Sequence, residues 1–247
     1  MALFEARNLH KRFGARVVLE DVSLAVEAGT VHGIMGPNGA GKTTCFNVLT
    51  GHYAPDGGEV VFDGRTITGM APHRIARLGI SRSFQIMNLF DDSVVIENVI
   101  LALPRFRAMG LNPARGVFDD TALVDEARAV LAEVDLDGRA WEKASALSYG
   151  NRRALEIAVA LAARPRLVFL DEPTSGLGAE ATRQLGALIG RLRERYTIVM
   201  IEHDMRFLFT LADRISVIHW GQVIAEDTPE RLRANKWVAR SIIGEVA

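Results

Sequence analysis

The chain has 247 residues, 49% hydrophobic and 24% charged, with a formal net charge of −1. That is enough for one large domain or two small ones with a sizeable core, and the charge balance gives no electrostatic reason to expect nucleic acid as a main partner. No apolar run approaches the ~20 residues that span a bilayer, the first residues lack a signal-peptide pattern, and the single cysteine, Cys45, excludes an internal disulfide. The protein is expected in the cytosol, or on the cytosolic face of a membrane through a partner.

Leu3–Leu9 and Ser23–Glu27 alternate apolar and polar residues, the pattern of half-buried strands. Between them, Phe13 beside Gly14 is expected on an exposed turn, where it either stacks on adenine through its π-face or closes the edge of a core. Val31–Met35 reads as a strand and runs into Gly36, Pro37, Asn38, Gly39, Ala40, Gly41, Lys42, Thr43 and Thr44. Strand, glycine loop, Lys-Thr and helix is the arrangement that holds a nucleoside triphosphate. Backbone N–H groups and the helix N-terminus face the phosphates. Lys42 would reach the β- and γ-phosphates and Thr43 would ligate Mg²⁺. Cys45, in the first turn of that helix, reads as a small packed residue.

Pro55–Gly58 is a turn, Glu59–Gly64 a strand closed by a turn, Pro72–Leu78 a helix ended by Gly79, and Ile80–Gln85 a further strand. Ile86–Phe90 is apolar but too short for an element, which suggests an exposed docking patch. From Val94 to Leu161 the pattern is helical. Val94–Leu103 is stopped by Pro104, Pro104–Asp120 reads as a loop or irregular insertion, and Thr121–Val134 sets Leu123, Ala127, Val130, Leu131 and Val134 on one face. With Ala154–Ala163 this predicts a helical subdomain, about 92–163, inserted in an α/β core. Alternation resumes with the strand Leu167–Leu170, the helix Arg183–Arg195, the strand Thr197–Ile201, the helix Met205–Leu211 and a hairpin around Trp220-Gly221. Thr228 and Pro229 open a C-terminal helical tail, 228–247.

Asp171 and Glu172 end an apolar run that is expected to lie beside the phosphate-loop strand. There Asp171 would hold Mg²⁺, usually through water, and Glu172 would take a proton from an attacking water; alone, the pair also suits a solvated strand end. Gln85 and His203 each follow a strand-like run and are candidates for the γ-phosphate, Gln85 through Mg²⁺ or water, or else structural residues. Ser148, followed by Gly150, suits either an anion site or a plain helix N-cap.

Together these motifs resemble the ATP-binding subunits of ABC transporters, over essentially the whole chain and in family order. The phosphate loop is Gly36–Thr44, the Q-loop Gln85, the signature Leu147–Asn151, the strand with its catalytic acid Leu167–Glu172, the D-loop Ser175–Gly178 and the switch histidine His203. The resemblance implies a single ABC ATPase domain over 1–247, with a RecA-like phosphate-loop core, an antiparallel β subdomain and the inserted helices. It implies ATP and Mg²⁺ as ligands, Thr43, Gln85 and Asp171 toward the metal, Glu172, His203 and Gln85 in hydrolysis, and Phe13 and Val18 against the nucleotide. Ser148, Tyr149, Gly150 and Asn151 would act on the ATP of a second ATPase subunit, identical or related. Two membrane permeases and, indirectly, a periplasmic solute-binding protein complete the implied assembly, on the cytoplasmic face of the inner membrane and without nucleic acid. Ser83–Gln85, Asn88–Phe90, Val95–Asn98, Glu202–Met205 and the stretch from Ile224 to Glu245 are similar to the branched-chain amino acid importers. Relatives of that branch carry urea, amides or aromatic acids, and ATPases for lipopolysaccharide export have similar motifs. Soluble ABC ATPases acting on DNA or ribosomes fit poorly, lacking here a long coiled coil or a second domain. Tyr149 and Asn151 depart from the usual Gly and Gln of the signature, and Gly178 from the usual Asp or Asn of the D-loop.

Overall fold

The computed structural model describes residues 2–83, 89–109, 117–235 and 238. The two alternating segments at the N-terminus extend into long strands, β1 (Ala2–Phe13) and β2 (Arg16–Glu27), paired as a hairpin with Phe13 opposite Arg16 at its tip. The apolar run β3 (Val31–Met35) leads through the glycine loop into α1 (Lys42–Leu49). β4 (Gly57–Phe62) pairs with β1, and β5 (Arg65–Thr66) with β4, all antiparallel. α2 (Pro72–Arg77) and β6 (Ile80–Arg82) follow.

Next come α3 (Val95–Ile100), α4 (Pro104–Met109), α5 (Thr121–Glu133) and α6 (Tyr149–Ala162). Among the described residues of 94–162 the only strand-like pairing is an isolated bridge, Val94 to Lys143. The remainder alternates: β7 (Leu167–Asp171), α7 (Ala179–Leu192), β8 (Thr197–Ile201), α8 (Met205–Leu211), β9 (Arg214–His219), β10 (Gln222–Asp227) and α9 (Pro229–Ala234).

The strands form one sheet in the order β5-β4-β1-β2-β10-β9-β3-β8-β7-β6. From β9 to β6 the pairing is parallel, which requires both faces to be covered. They are, and the alternation of side chains along each strand sorts them. On one face Met35, Val168, Leu170, Ile198 and Met200 pack on helices α3 and α5–α8. On the other, Ile34, Leu167, Phe169, Val199 and Ile201 pack on α1 and the β1–β2–β4 wing. There Phe169 meets Phe4 and Phe46 edge-on, each at 5.4 Å. Each such side chain contributes about 1.5–3 kcal/mol on burial.

Three expectations are corrected. β7 is not the neighbour of β3: β8 lies between them, because α7 carries the chain back so that the later strand inserts beside β3. Pro104 does not open a loop but starts α4, since a proline ring suits the first helical turn, where no N–H bond is lost. α7 begins at Ala179 rather than Arg183, directly after Gly178. The expected strand Ile80–Gln85 is formed over Ile80–Arg82, with 84 and 85 outside the described residues, and the expected helix Val94–Leu103 is helical over Val95–Ile100. All five apolar-face residues from Leu123 to Val134 are buried. Of the tail, α9 forms, with Thr228 Oγ1 accepting from Arg231 N at 3.5 Å; Ile243–Glu245 lie outside the described residues.

Candidate functional site

The glycine loop is shaped by close approach. A Cβ on Gly36 would stand 2.0 Å from the Ile218 carbonyl oxygen, so only glycine lets the loop lie against β9. Gly41, at φ +101°, turns the chain into α1, and a Cβ there would come within 2.9 Å of the Val18 carbonyl oxygen. That places Val18, just past the β1–β2 tip, against the loop. Gly221 N–H donates to Ala40 O at 3.0 Å and pins the loop from its other side. The first turn of α1 has no side-chain cap, which leaves its N–H donors available to an anion. Lys42 Nζ folds back inside the loop, donating to Gly36 O at 2.7 Å and Pro37 O at 3.0 Å. Burial lowers its pKa, and the charge of Glu172 opposes that shift. Cys45 is fully buried, and burial pushes its thiol up to about 12, as suits a packed, unreactive residue.

Phe13 is 46% exposed at the hairpin tip. Its ring stands edge-on to Tyr53 at 5.4 Å, with Lys11 Nζ 5.4 Å from its centroid. The ring is therefore not a closed core edge. Tyr53, which no sequence pattern singled out, is its neighbour.

The acids arrive through strand register. Ile34, Ile201 and Asp171 are level across β3, β8 and β7, so the residues after each strand meet at one end of the sheet. Asp171 is buried, and its Oδ2 accepts from Arg82 Nη2 at 3.1 Å. Burial raises the Asp171 pKa and the Arg82 charge works against it. Arg82 also donates to Asn47 Oδ1 at 2.6 Å and Thr50 Oγ1 at 3.1 Å, and stacks on Phe46 at 4.5 Å. Glu172 has φ +45°, a conformation that costs a residue with a Cβ about 1–2 kcal/mol. Its N–H is tied to Ile201 O at 3.0 Å, and its Oε2 lies 3.7 Å from His203 Nδ1.

Glu202 completes this end. It is fully buried, accepts from Thr174 N at 2.8 Å and His203 N at 3.2 Å, and so joins the loop after Glu172 to the loop that carries His203. Burial raises its pKa, and the donated N–H bonds hold it down. Sequence reasoning used Glu202 only as a family mark; the available signal was a carboxylate ending an apolar strand, as Asp171 does. Arg82 carried no such signal.

Ser148 caps α6, its Oγ accepting from Asn151 N at 3.3 Å. Tyr149 donates to Ser175 O, and Gly150 faces Ala181. Among the described residues no hydrogen bond or ion pair joins Ser148–Asn151 to residues 36–44. The structure thus brings together Lys42, Asp171, Glu172 and His203 and leaves the signature apart. Gln85 and Met87 lie outside the described residues. Leu89 is packed against the core, which departs from a wholly exposed patch, whereas Phe90 is 60% exposed.

The donors suit a phosphate chain. Asp171 and the Thr43 hydroxyl are hard oxygen donors, and among the described residues no cluster of three or more His, Cys, Asp or Glu forms a cage. Mg²⁺ needs none, since it takes one or two protein oxygens together with substrate phosphates and water.

Fold and site define a phosphate-loop ATPase of mixed α/β architecture with an inserted run of helices. A family model described as "ABC transporter" matches residues 19–175. Over 98% of both chains the sequence is 40% identical to BraF of Pseudomonas aeruginosa and 38% identical to LivG of Escherichia coli, each a high-affinity branched-chain amino acid transport ATP-binding protein. Among solved structures, the ADP conformation of MJ1267, an ATP-binding cassette of an ABC transporter, superposes with a TM-score of 0.86 at 29% identity over 99% of each chain. A nucleotide-free ATP-binding cassette from an ABC transporter gives 0.85 at 28% identity, over 100% of this chain and 99% of that one. The chain belongs to the ABC transporter family, as an ATP-binding, ATP-hydrolysing subunit. No helix among the described residues is long and apolar enough to cross a membrane. As the ATP-binding subunit of an ABC transporter, the chain works with membrane permease partners.

Proposed function

We propose that this subunit powers import of branched-chain amino acids, or of a related small polar or amphipathic solute such as urea, an amide or an aromatic acid. The observation that carries this reading is the match to BraF and LivG over 98% of both chains. Lipopolysaccharide export is the alternative transporter reading. Lys42, Thr43 and Thr44 bind the phosphates, while Phe13 and Val18 bind the adenosine end. Thr43, Gln85 and Asp171 would hold Mg²⁺, Asp171 through water. Bound Mg²⁺ would screen charge on the β- and γ-phosphates. Glu172 takes the proton of the attacking water, and His203 hydrogen-bonds a γ-phosphate oxygen. The 3.7 Å approach of His203 to Glu172 supports the pairing of these roles.

Ser148, Tyr149, Gly150 and Asn151 would cover the ATP of a second subunit, this chain or a related ATPase, in a head-to-tail pair. The separation of the signature from its own phosphate loop supports this. Shared ATP favours the closed pair and hydrolysis releases it, a population shift by a ligand of unequal affinity. A cavity of about 390 Å³, lined by His52, His73, Leu89, Arg107 and Glu156 among others, lies between α2, β6 and α6. Its position supports docking of a short permease helix there, against the helical subdomain of about 92–163. The subunit would then sit on the cytoplasmic face of the inner membrane, with no nucleic acid partner. Vesicles holding the protein with the membrane permeases that co-purify with it, and supplied outside with their solute-binding protein, should take up leucine only with internal ATP. Uptake of urea or an aromatic acid but not leucine would overturn the solute assignment, and absence of any permease association would overturn the whole reading.

A further inference from the structure

Tyr149 is half exposed and belongs to neither hydrophobic core, so packing alone does not account for it. Its hydroxyl donates to Ser175 O at 3.2 Å. Its ring lies over Gly176, which has φ +77° and where a Cβ would stand 2.9 Å from the Tyr149 hydroxyl. Glycine there serves both the left-handed backbone and the room for the ring. One residue on, a Cβ at Gly150 would meet Ala181 of α7 at 3.3 Å. The start of α6 is thus seated on the loop that follows Glu172.

That loop is tied at its other end to the catalytic acid. Ser175 N–H donates to Glu172 O at 3.0 Å. Ser175 therefore carries one bond toward Tyr149 through its carbonyl and one toward Glu172 through its N–H. Thr174 N–H is locked on buried Glu202, so the turn between them has little freedom to absorb a displacement. A shift of the α6 start reaches the backbone of Glu172 through two hydrogen bonds and one residue.

We propose that Tyr149 is a positioning residue that couples the two ATP sites of a pair. Nucleotide of the partner subunit, met at Ser148 and Gly150, sets the start of α6; the Tyr149–Ser175 bond passes that setting to the loop holding Glu172 in the subunit's own site. The inference rests on the head-to-tail pairing proposed above.

Tyr149→Phe keeps the ring over Gly176 and removes the tie. Steady-state hydrolysis should show turnover about three- to tenfold lower, the factor commanded by one net hydrogen bond, with the KM for ATP within about twofold and the melting temperature unchanged. In a Glu172→Gln background with ATP, pairing is read by sedimentation. Adding Tyr149→Phe should leave the pair intact and its phosphate loop protected, while amide hydrogen exchange across 172–178 quickens by a similar factor. Unchanged turnover and exchange would overturn the coupling. A loss of ATP affinity or a lowered melting temperature in place of these effects would assign the Tyr149 hydroxyl to nucleotide contact or packing rather than to the tie on Ser175, and overturn it equally. If the Glu172→Gln protein pairs in ATP neither with itself nor with the related ATPase subunit, the pairing itself fails and the inference with it.

Discussion

Arg82→Ala should destabilise the protein by about 3–5 kcal/mol, the range for removing one partner of a buried ion pair. The Arg82 and Asp171 side chains are only 12% and 4% exposed and meet at 3.1 Å, so water cannot readily replace the guanidinium. The same substitution strips Asn47 and Thr50 at the end of α1 of a donor and uncovers the face of Phe46, and a desolvated cation over a ring is itself worth about 2 kcal/mol. The total is a large share of the 5–15 kcal/mol typical of a domain. Urea unfolding of Arg82→Ala, Asp171→Asn and the double variant measures it. The cycle should give a coupling of about 2–3 kcal/mol, because Asp171→Asn removes the charge that Arg82→Ala leaves stranded. A loss under about 1 kcal/mol, or strict additivity of the two changes, would refute the view that Arg82 and Asp171 form a stabilising buried pair.

Glu172→Gln should lower turnover about 10²–10⁴-fold, the range for losing a general base, while ATP still binds; near-wild-type hydrolysis would remove Glu172 from that role. Lys42→Ala should weaken ATP at least about tenfold by equilibrium dialysis, since the loop loses its charge-assisted donor, and an unaltered affinity would count against Lys42 as a phosphate ligand. His32, inside β3, lies 2.8 Å from Ser216 Oγ, which donates to Glu226 at 2.7 Å; burial, aided by the Arg214 charge and opposed by Glu226, pulls the His32 pKa from 6.5 to about 4. The folded state therefore keeps the ring neutral, so its contribution is full above pH 6.5 and is lost as pH falls toward 4, by about 3 kcal/mol in all. His32→Gln should flatten that part of the stability profile; an identical slope, or an imidazole titrating near 6.5 by NMR in the wild type, would disprove it.

The phosphate loop was legible because its chemistry is local. Gly36 to Thr44 must be contiguous to wrap one phosphate chain, and their spacing survives in the sequence. Asp171, Glu172 and His203 were legible in kind, as polar residues ending apolar runs, and the register of β3, β8 and β7 then brought those ends together. The Phe13 ring stands exposed at the hairpin tip, a placement that a sequence pattern equally suited to a core edge does not decide. Strand order was not legible: an apolar run of five residues carries no mark of its neighbour, which is how β8 came between β3 and β7. Pro104 misled for a related reason, since a proline that ends one helix can begin the next.

Glu202 and Arg82 show where sequence reading stops. Each is a charged residue at a strand end, and alone each suits a solvated position. Glu202 acts because the loops after β7 and β8 converge on it, and Arg82 because residues from α1 and β7 surround it. The sequence by itself determined the phosphate loop, the α/β core with its helical insertion and the family. Tertiary structure alone decided which acids are held, and by what. A motif is a property of neighbours along the chain, whereas a buried charge is stabilised by neighbours across it.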